Sequence, residues 1–430
     1  MSASSGTLAD RAPLPRRAYT LGVLMLVYGC NFLDRQILVI LQEPIKADMG
    51  LSDAQLGLLT GFAFAIFYVV AGIPIAYCAD RGNRRNIIAL AIAFWSAMTM
   101  LSGVAQNYMQ LLLARVGVGI GEAGSTPPSH SMVSDLFPPE KRATAFAIFT
   151  IGLYFGVAAG YLFGGQFGAQ IGWRHALLIA GVPGLILALV LRFTVAEPVR
   201  GRWDEKPAQP LRFSEALAEL AGQPLFWLVT LATAAGTFVN YGTGNFNPSY
   251  LMRSHGLTLP ETGALLAVTS SSSGILGTWL GGVLADRLGR RDPAWYLRIC
   301  LLGQGLSVPF SMVAYLSTGL HLALAGLFVS HMLVVFMLAP SIAVIQSLVR
   351  PNMRALASSV FFFAVNLLGL GLGPLAVGLL SDALTPDFGT QSLRYAQVGA
   401  SSVGLLAALL FAVAALRDRR YRLVAGRLQA

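Results

Sequence analysis

An all-α membrane protein of twelve transmembrane helices, arranged as two pseudo-symmetric six-helix bundles, is the fold class this sequence predicts. Three observations carry the prediction: an apolar composition, a one-sided placement of basic residues, and a segment that occurs twice. Of 430 residues, 55% are hydrophobic and 12% charged, too little polar material to coat several soluble domains. Lipid is therefore part of the solvent. A helical span needs ~20 mostly apolar residues, and a backbone in lipid must satisfy its own hydrogen bonds, so apolar runs of that length read as helices.

Twelve such runs fall at 18–44, 54–79, 86–105, 108–133, 143–167, 174–195, 225–251, 262–285, 295–317, 321–347, 355–381 and 393–416. They divide the chain into an N-terminal bundle (1–195), a polar linker (196–224) and a C-terminal bundle (225–430). The linker carries Glu197, Arg200, Arg202, Asp204, Glu205, Lys206 and Arg212, and Ser214–Leu220 reads as a short amphipathic helix on the membrane surface. The first run is too long for the core of a signal peptide and lacks a small-residue cleavage pattern, so it is expected to stay as an anchor. Cys30, Cys78 and Cys300 are scattered within spans, which favours neither a disulfide frame nor a zinc site.

The net charge of +10 could suggest nucleic acid, but placement decides against it. Of the 30 Lys and Arg, 24 lie in the termini, the linker and the loops that follow even-numbered spans; only Lys46, Arg174, Arg253 and Arg394 fall on the other side. The positive-inside rule then puts both termini in the cytoplasm, as an even number of spans requires.

The segment that occurs twice follows spans two and eight. It reads Gly72-Ile-Pro-Ile-Ala-Tyr-Cys-Ala-Asp80-Arg81-Gly-Asn-Arg84-Arg85 and Gly281-Gly-Val-Leu-Ala-Asp286-Arg287-Leu-Gly-Arg290-Arg291, with Asp80 and Asp286 separated by 206 residues. A second pair, Pro139-Glu-Lys-Arg142-Ala143 and Pro351-Asn-Met-Arg354-Ala355, repeats at nearly the same offset. One such loop could be merely topogenic; two correspondences argue for a duplicated six-helix unit.

On these loops the sequence resembles the major facilitator superfamily, whose loop between spans two and three reads Gly-x-Leu-Ala-Asp-Arg-x-Gly-Arg-Arg. The second copy matches closely, whereas the first has Asn83 in place of the usual Gly. The resemblance implies that Asp80, Arg81 and Arg84 sit at a cytoplasmic seam between the halves, with Arg142 and Arg354 as partners and Arg85, Asp286, Arg287 and Arg290 in the same gate. Within the superfamily, Asn31-Phe-Leu-Asp34-Arg35, the Asp80 loop, and Arg115-Val-Gly-Val-Gly-Ile-Gly-Glu122-Ala are similar to the Spinster family, as a bacterial homologue. Members of that family are associated with export of sphingoid lipids or lysophospholipids.

Four ionisable residues fall inside spans of the first half: Asp34 and Arg35 in span one, Arg115 and Glu122 seven residues apart on one face of span four. Each costs ~2.5–3.5 kcal/mol at the bilayer centre by insertion scales, so such groups face a cavity or a partner. Two readings stand. Either the four satisfy one another and pin span one to span four, or Glu122 and Asp34 bind protons, with Arg35 and Arg115 as charge partners and Arg35 as a contact for an anionic head group.

Span four also holds Gly119-Ile-Gly-Glu-Ala-Gly124, a letter-for-letter dinucleotide fingerprint. With no strand before it and the helix expected to continue to Pro127 and Pro128, close helix packing explains the glycines better. Gly152, Gly156, Gly160 and Gly164 form a stripe on span five, read as a sliding surface between halves. The second half offers neutral groups for a cavity wall, Asn240, Asn245, His331 and Asn366, and Pro248 is expected to break span seven.

No Ser-His-Asp set, metal-ligand cluster or phosphate cradle stands out, so neither an enzyme nor a bound cofactor is expected. The function expected is proton-coupled secondary transport of a small amphipathic, lipid-like substrate by alternating access, with protons as coupling ion. The protein is expected to work as a monomer in a bacterial inner membrane, with the bilayer as partner and no nucleic acid. A multidrug or small organic anion carrier of the same fold, and a membrane sensor that no longer transports, are the alternatives.

Overall fold

The computed structural model describes residues 16–203, 213–350 and 353–429, and every regular element among them is helical. Asp204, Glu205, Lys206 and Arg212 of the linker, and Pro351-Asn352 of the second repeated loop, lie outside the described residues. Eight helical stretches are long and apolar enough to cross a membrane. Two of them, Pro139–Thr194 with 56 residues and Leu356–Arg417 with 62, each hold two spans in series. Spans four (108–136) and eight (Leu259–Gly289) complete the twelve; span four is divided into two shorter helices, Tyr108–Glu122 and Thr126–Leu136, and span eight is diluted by Ser270–Ser273.

Span one is Arg17–Ile40, span two runs 53–81, and span three is Arg84–Gly103. Spans five and six share the helix Pro139–Thr194, bent at Gly172, whose φ of 80° and ψ of 158° leave helix space. The expected loop of several residues shrinks to one because glycine alone takes that conformation without strain. Span seven is Pro224–His255 and ends on Gly256 in the left-handed conformation (φ 67°). Spans nine to eleven are Trp295–Leu316, 320–347 and 354–388, and span twelve starts at Ser392. Two spans contain a π-helical turn, Leu58–Phe62 in span two and Val365–Gly371 in span eleven.

Three expectations change. Pro248 does not break span seven: it is buried inside Pro224–His255, as membrane helices tolerate when neighbours cover the freed backbone groups. The amphipathic helix exists, as Phe213–Ala221, but its Leu220 is fully buried among Phe226, Leu297, Val349 and Met353, so it docks on protein rather than lying on lipid. The glycine stripe of span five is not a surface between halves. A Cβ on Gly152 would strike the Met25 carbonyl, on Gly156 the Gly29 backbone, and on Gly160 Leu33 and Gln36, so the stripe seats span one within the same half. Gly156→Leu is therefore expected to cost at least the ~1–3 kcal/mol of core overpacking, read as a lowered melting temperature in detergent.

The chain forms two compact units that are not the sequence halves. One runs to Leu38 and from Phe67 into the linker; the other contains Val39–Ile66 together with everything after the linker. In the first, span three packs on span six: Gly181 lies on Met100 and Ser96, and Gly103 on Leu178 and the Arg174 carbonyl. In the second, Leu220, Phe226, Cys300, Met337, Phe361 and Phe411 belong to one buried apolar cluster.

Candidate functional site

The four intramembrane charges come together in the first unit. Span one presents Asp34 and Arg35 as neighbours, and span four presents Arg115 and Glu122 two turns apart, so two ion pairs form side by side. Arg115 Nη1 lies 3.4 Å from Asp34 Oδ2, and Arg35 Nε donates to Glu122 Oε2 at 2.7 Å. Asp34 Oδ1 accepts from the Thr99 hydroxyl of span three, a partner with no sequence signal beyond being a polar residue in an apolar run. Asp34, Arg115 and Glu122 are all buried, Glu122 completely.

The two carboxylates are not equivalent. Asp34 uses both oxygens, one on Thr99 and one on Arg115. Glu122 uses one; its Oε1 is buried without a hydrogen-bond partner among the described residues. A buried acceptor left open is costly and marks a place for a proton or a ligand donor. The Arg35 guanidinium also lies 5.1 Å from the Phe32 ring and 5.3 Å from the Tyr68 ring, so it keeps apolar and π contacts when its ion pair loosens.

Span four breaks at this point. The helix Tyr108–Glu122 ends on the carboxylate residue, 123–125 form turns, and a second helix, Thr126–Leu136, restarts with Pro127 and Pro128 in its first turn. The expected continuous helix is thus wrong: the prolines lack the N–H groups that would continue it, but they suit the first turn of a new one. The freed Glu122 carbonyl accepts from the Ser125 amide and hydroxyl, both at 3.1 Å. Two glycines of the false fingerprint are packing residues: a Cβ on Gly121 would meet Trp95 and on Gly124 Ala91, and one on the preceding Gly117 would meet Met98, all on span three.

The first signature loop turns inward. Arg84, only 1% exposed, pairs with Asp135 at the end of span four and, at 2.7 Å, with Glu197 in the linker; it also donates to Ser131 and the Pro198 carbonyl. The Arg85 amide donates to Glu197 Oε2 at 2.8 Å and its side chain to the Val195 carbonyl at 3.1 Å. Asp80 and Arg81 are exposed, with Arg81 stacked on Tyr77 at 3.6 Å, and Arg200 donates to the carbonyls of Ala79, Asp80 and Gly82. Arg142 donates to the carbonyls of Ser134 and Phe137. Asp135, Glu197 and Arg200 were missed as site residues because their partners are 51 to 121 positions away.

In the second copy Asp286, Arg287 and Arg290 are exposed, Asp286 accepting from the Tyr296 hydroxyl at 3.0 Å, and Arg354 is exposed as well. Of the neutral candidates, His331 bonds Ser273 at 2.7 Å between spans ten and eight. Asn245 reaches the Thr60 carbonyl at 3.5 Å, while Asn240 and Asn366 are half-buried, Asn366 in the π-turn of span eleven.

The chain has relatives among known proteins. Residues 24–374 match the family model described as Major Facilitator Superfamily. An MFS-type efflux pump of Mycolicibacterium smegmatis is 39% identical over 94% of each chain. A sphingosine-1-phosphate transporter of Danio rerio is 27% identical, over 92% of this chain and 83% of its own. The crystal structure of a bacterial homologue of the human lysosomal transporter Spinster, in an inward-facing and unoccupied conformation, matches with a TM-score of 0.85 at 34% identity, covering 94% of this chain and 98% of that one. With a family model spanning most of its length and a Spinster homologue sharing its fold at this identity, the chain belongs to the major facilitator superfamily of membrane transporters, as a Spinster-type member.

Proposed function

We propose that the protein is a proton-coupled carrier of an amphipathic, lipid-like anion, working by alternating access. The observation that carries this reading is the buried Arg35–Glu122 pair with its open carboxylate oxygen. While Glu122 is ionised, it holds the Arg35 Nε. A proton taken up by the carboxyl removes that charge and leaves the guanidinium available to a phosphate or carboxylate head group, for which its planar fork is suited. Proton and anion then favour each other's binding, and by linkage the dependence is reciprocal. The expected sign is that anion affinity rises as pH falls.

The substrate class draws support from the relative that is named for sphingosine-1-phosphate, and from the aromatic rings of Phe32 and Tyr68 beside Arg35, which offer an apolar surface next to the charge. A hydrophobic drug is the second reading, favoured by the relative named as an efflux pump. The protein acts, on this reading, as a monomer in a bacterial inner membrane, and the placement of basic residues supports a multi-pass topology with both termini in the cytoplasm.

Counterflow in proteoliposomes tests the reading. Liposomes loaded with an unlabelled lysophospholipid or sphingoid phosphate are expected to take up the labelled compound, faster at pH 6 than at pH 8. Exchange of a hydrophobic cation but of no lipid-like anion would favour the drug carrier; binding with no exchange would favour a sensor. Arg35→Gln is expected to weaken anion binding about tenfold or more, because a hydrogen bond to a charged group contributes ~1.5–3 kcal/mol. Isothermal titration with the same lipids reads that loss.

A further inference from the structure

The second compact unit contains Val39–Ile66, a hairpin from the first half of the chain, and its boundary falls inside two continuous helices, Arg17–Ile40 and Ala63–Arg81. What fastens that hairpin to the rest of its unit is a charged network over a bare backbone contact. Span two opens with the helix Asp53–Gly57, capped locally by Ser52 and Gln55. The capping box leaves the amides of Asp53 and Ala54 open, and both are taken by span eleven: Asp53 N donates to Asp382 Oδ1 at 3.0 Å and Ala54 N to Asp382 Oδ2 at 2.8 Å. One carboxylate thus serves as N-cap for a helix 328 positions away.

The Asp53 side chain, 1% exposed, is gripped from three sides. Arg253 of span seven donates to both its oxygens at 2.7 Å, Ser381 of span eleven donates at 2.6 Å, and Lys46 pairs with it as well. Arg253 forks onward to Glu43 Oε1, at 3.0 Å through Nε and 2.7 Å through Nη2. Next to the network the chains touch backbone to backbone. A Cβ on Gly57 would fall on Pro374 and 2.9 Å from Leu375 Cα, one on Gly61 would meet Gly371 and Pro374, and one on Gly378 would meet the Asp53 backbone. The π-turns of spans two and eleven, a distortion frequent at functional positions, lie against each other at this contact.

We propose that Asp53, Arg253 and Asp382 form a latch at the end of the second unit opposite its own signature loop, Asp286–Arg291. The latch must part for the carrier to open on that side. These three are positioning residues: they set the balance between the conformations of the transport cycle without touching substrate. Because the partners converge on the buried Asp53, which Arg253 links to Glu43, the latch holds as a unit. Opening it exposes the donors and acceptors to water together.

The test is a distance measurement, which does not depend on the substrate reading and so fails or succeeds apart from it. Ala47→Cys and Thr318→Cys, on a chain whose native Cys30, Cys78 and Cys300 are serine, carry nitroxides for pulsed electron-electron resonance in nanodiscs. The parent is expected to give mainly one short distance. Arg253→Ala and Asp382→Ala are expected to raise a longer-distance population about tenfold, Gly57→Leu to do the same by wedging the backbone contact, and Arg253→Lys to give an intermediate result because an ammonium lacks the fork that reaches both Glu43 and Asp53. If Asp382→Ala does not fold, Asp382→Asn, which keeps one acceptor oxygen, takes its place. A purely structural network would lower the melting temperature while leaving the distances unchanged. Parent-like distances in Arg253→Ala and in the Asp382 variant would overturn the latch.

Discussion

Glu122→Gln is expected to reduce accumulation driven by a pH gradient to the level of protein-free liposomes while leaving counterflow largely intact. The amide has the size of the carboxyl and can still accept from Arg35 Nε, now at 2.7 Å from Oε2, but it cannot ionise. The guanidinium then faces a neutral partner at every pH, so anion binding loses its pH dependence and the proton gradient loses its lever. Retained exchange separates loss of coupling from loss of fold. Asp34→Asn is expected to lose driven transport too, through Arg115 and Thr99, which both bond its carboxylate. Because Asp34 has no open oxygen, its variant is expected to lower the melting temperature more than Glu122→Gln does.

Arg84→Ala is expected to be among the most destabilising substitutions in the chain, about 3–5 kcal/mol, because it removes one side of a buried ion-pair network and strands the other. Asp135 and Glu197 would be left facing each other, and the linker would lose the contacts to Glu197 and Pro198 that tie it to the first unit. Arg81→Ala, three positions earlier, removes an exposed side chain stacked on Tyr77 and is expected to stay within about 1 kcal/mol. The corresponding Arg287 and Arg290 of the second copy are exposed, and their alanine variants are expected to behave like Arg81→Ala. Thermal unfolding of the four variants in one detergent ranks them; equal melting temperatures for Arg84→Ala and Arg81→Ala would refute the burial argument.

That contrast also shows what the sequence could and could not disclose. The apolar runs, the duplication and the four intramembrane charges are local features, written in composition and spacing, and the helices and the meeting of spans one and four through those charges follow from them, whereas the pairing of Asp34 with Arg115 and of Arg35 with Glu122 does not. Partners far along the chain are not local. Nothing near Arg84 announces that it pairs with Glu197 while Arg290, in the better-matched copy of the motif, is exposed. The glycine stripe declared a smooth face but not which helix it receives, and span one took it. The break after Glu122 was written in Pro127 and Pro128, yet the two prolines read equally as the end of one helix or the first turn of the next. Least legible was the hairpin 39–66, whose sequence belongs to the first half and whose contacts belong to the second unit. Asp382 caps span two through main-chain amides, which carry no residue identity to recognise.

The central claim is that one proton on Glu122 and one anion at Arg35 travel through a shared cycle. Proton movement driven by substrate tests it most directly. Proteoliposomes with a trapped pH dye and no initial pH gradient are given an outward gradient of the lipid-like anion. The account predicts a dye response that follows substrate flux in the parent and vanishes in Glu122→Gln while substrate still exchanges. Substrate flux in the parent with no change in internal pH would contradict it.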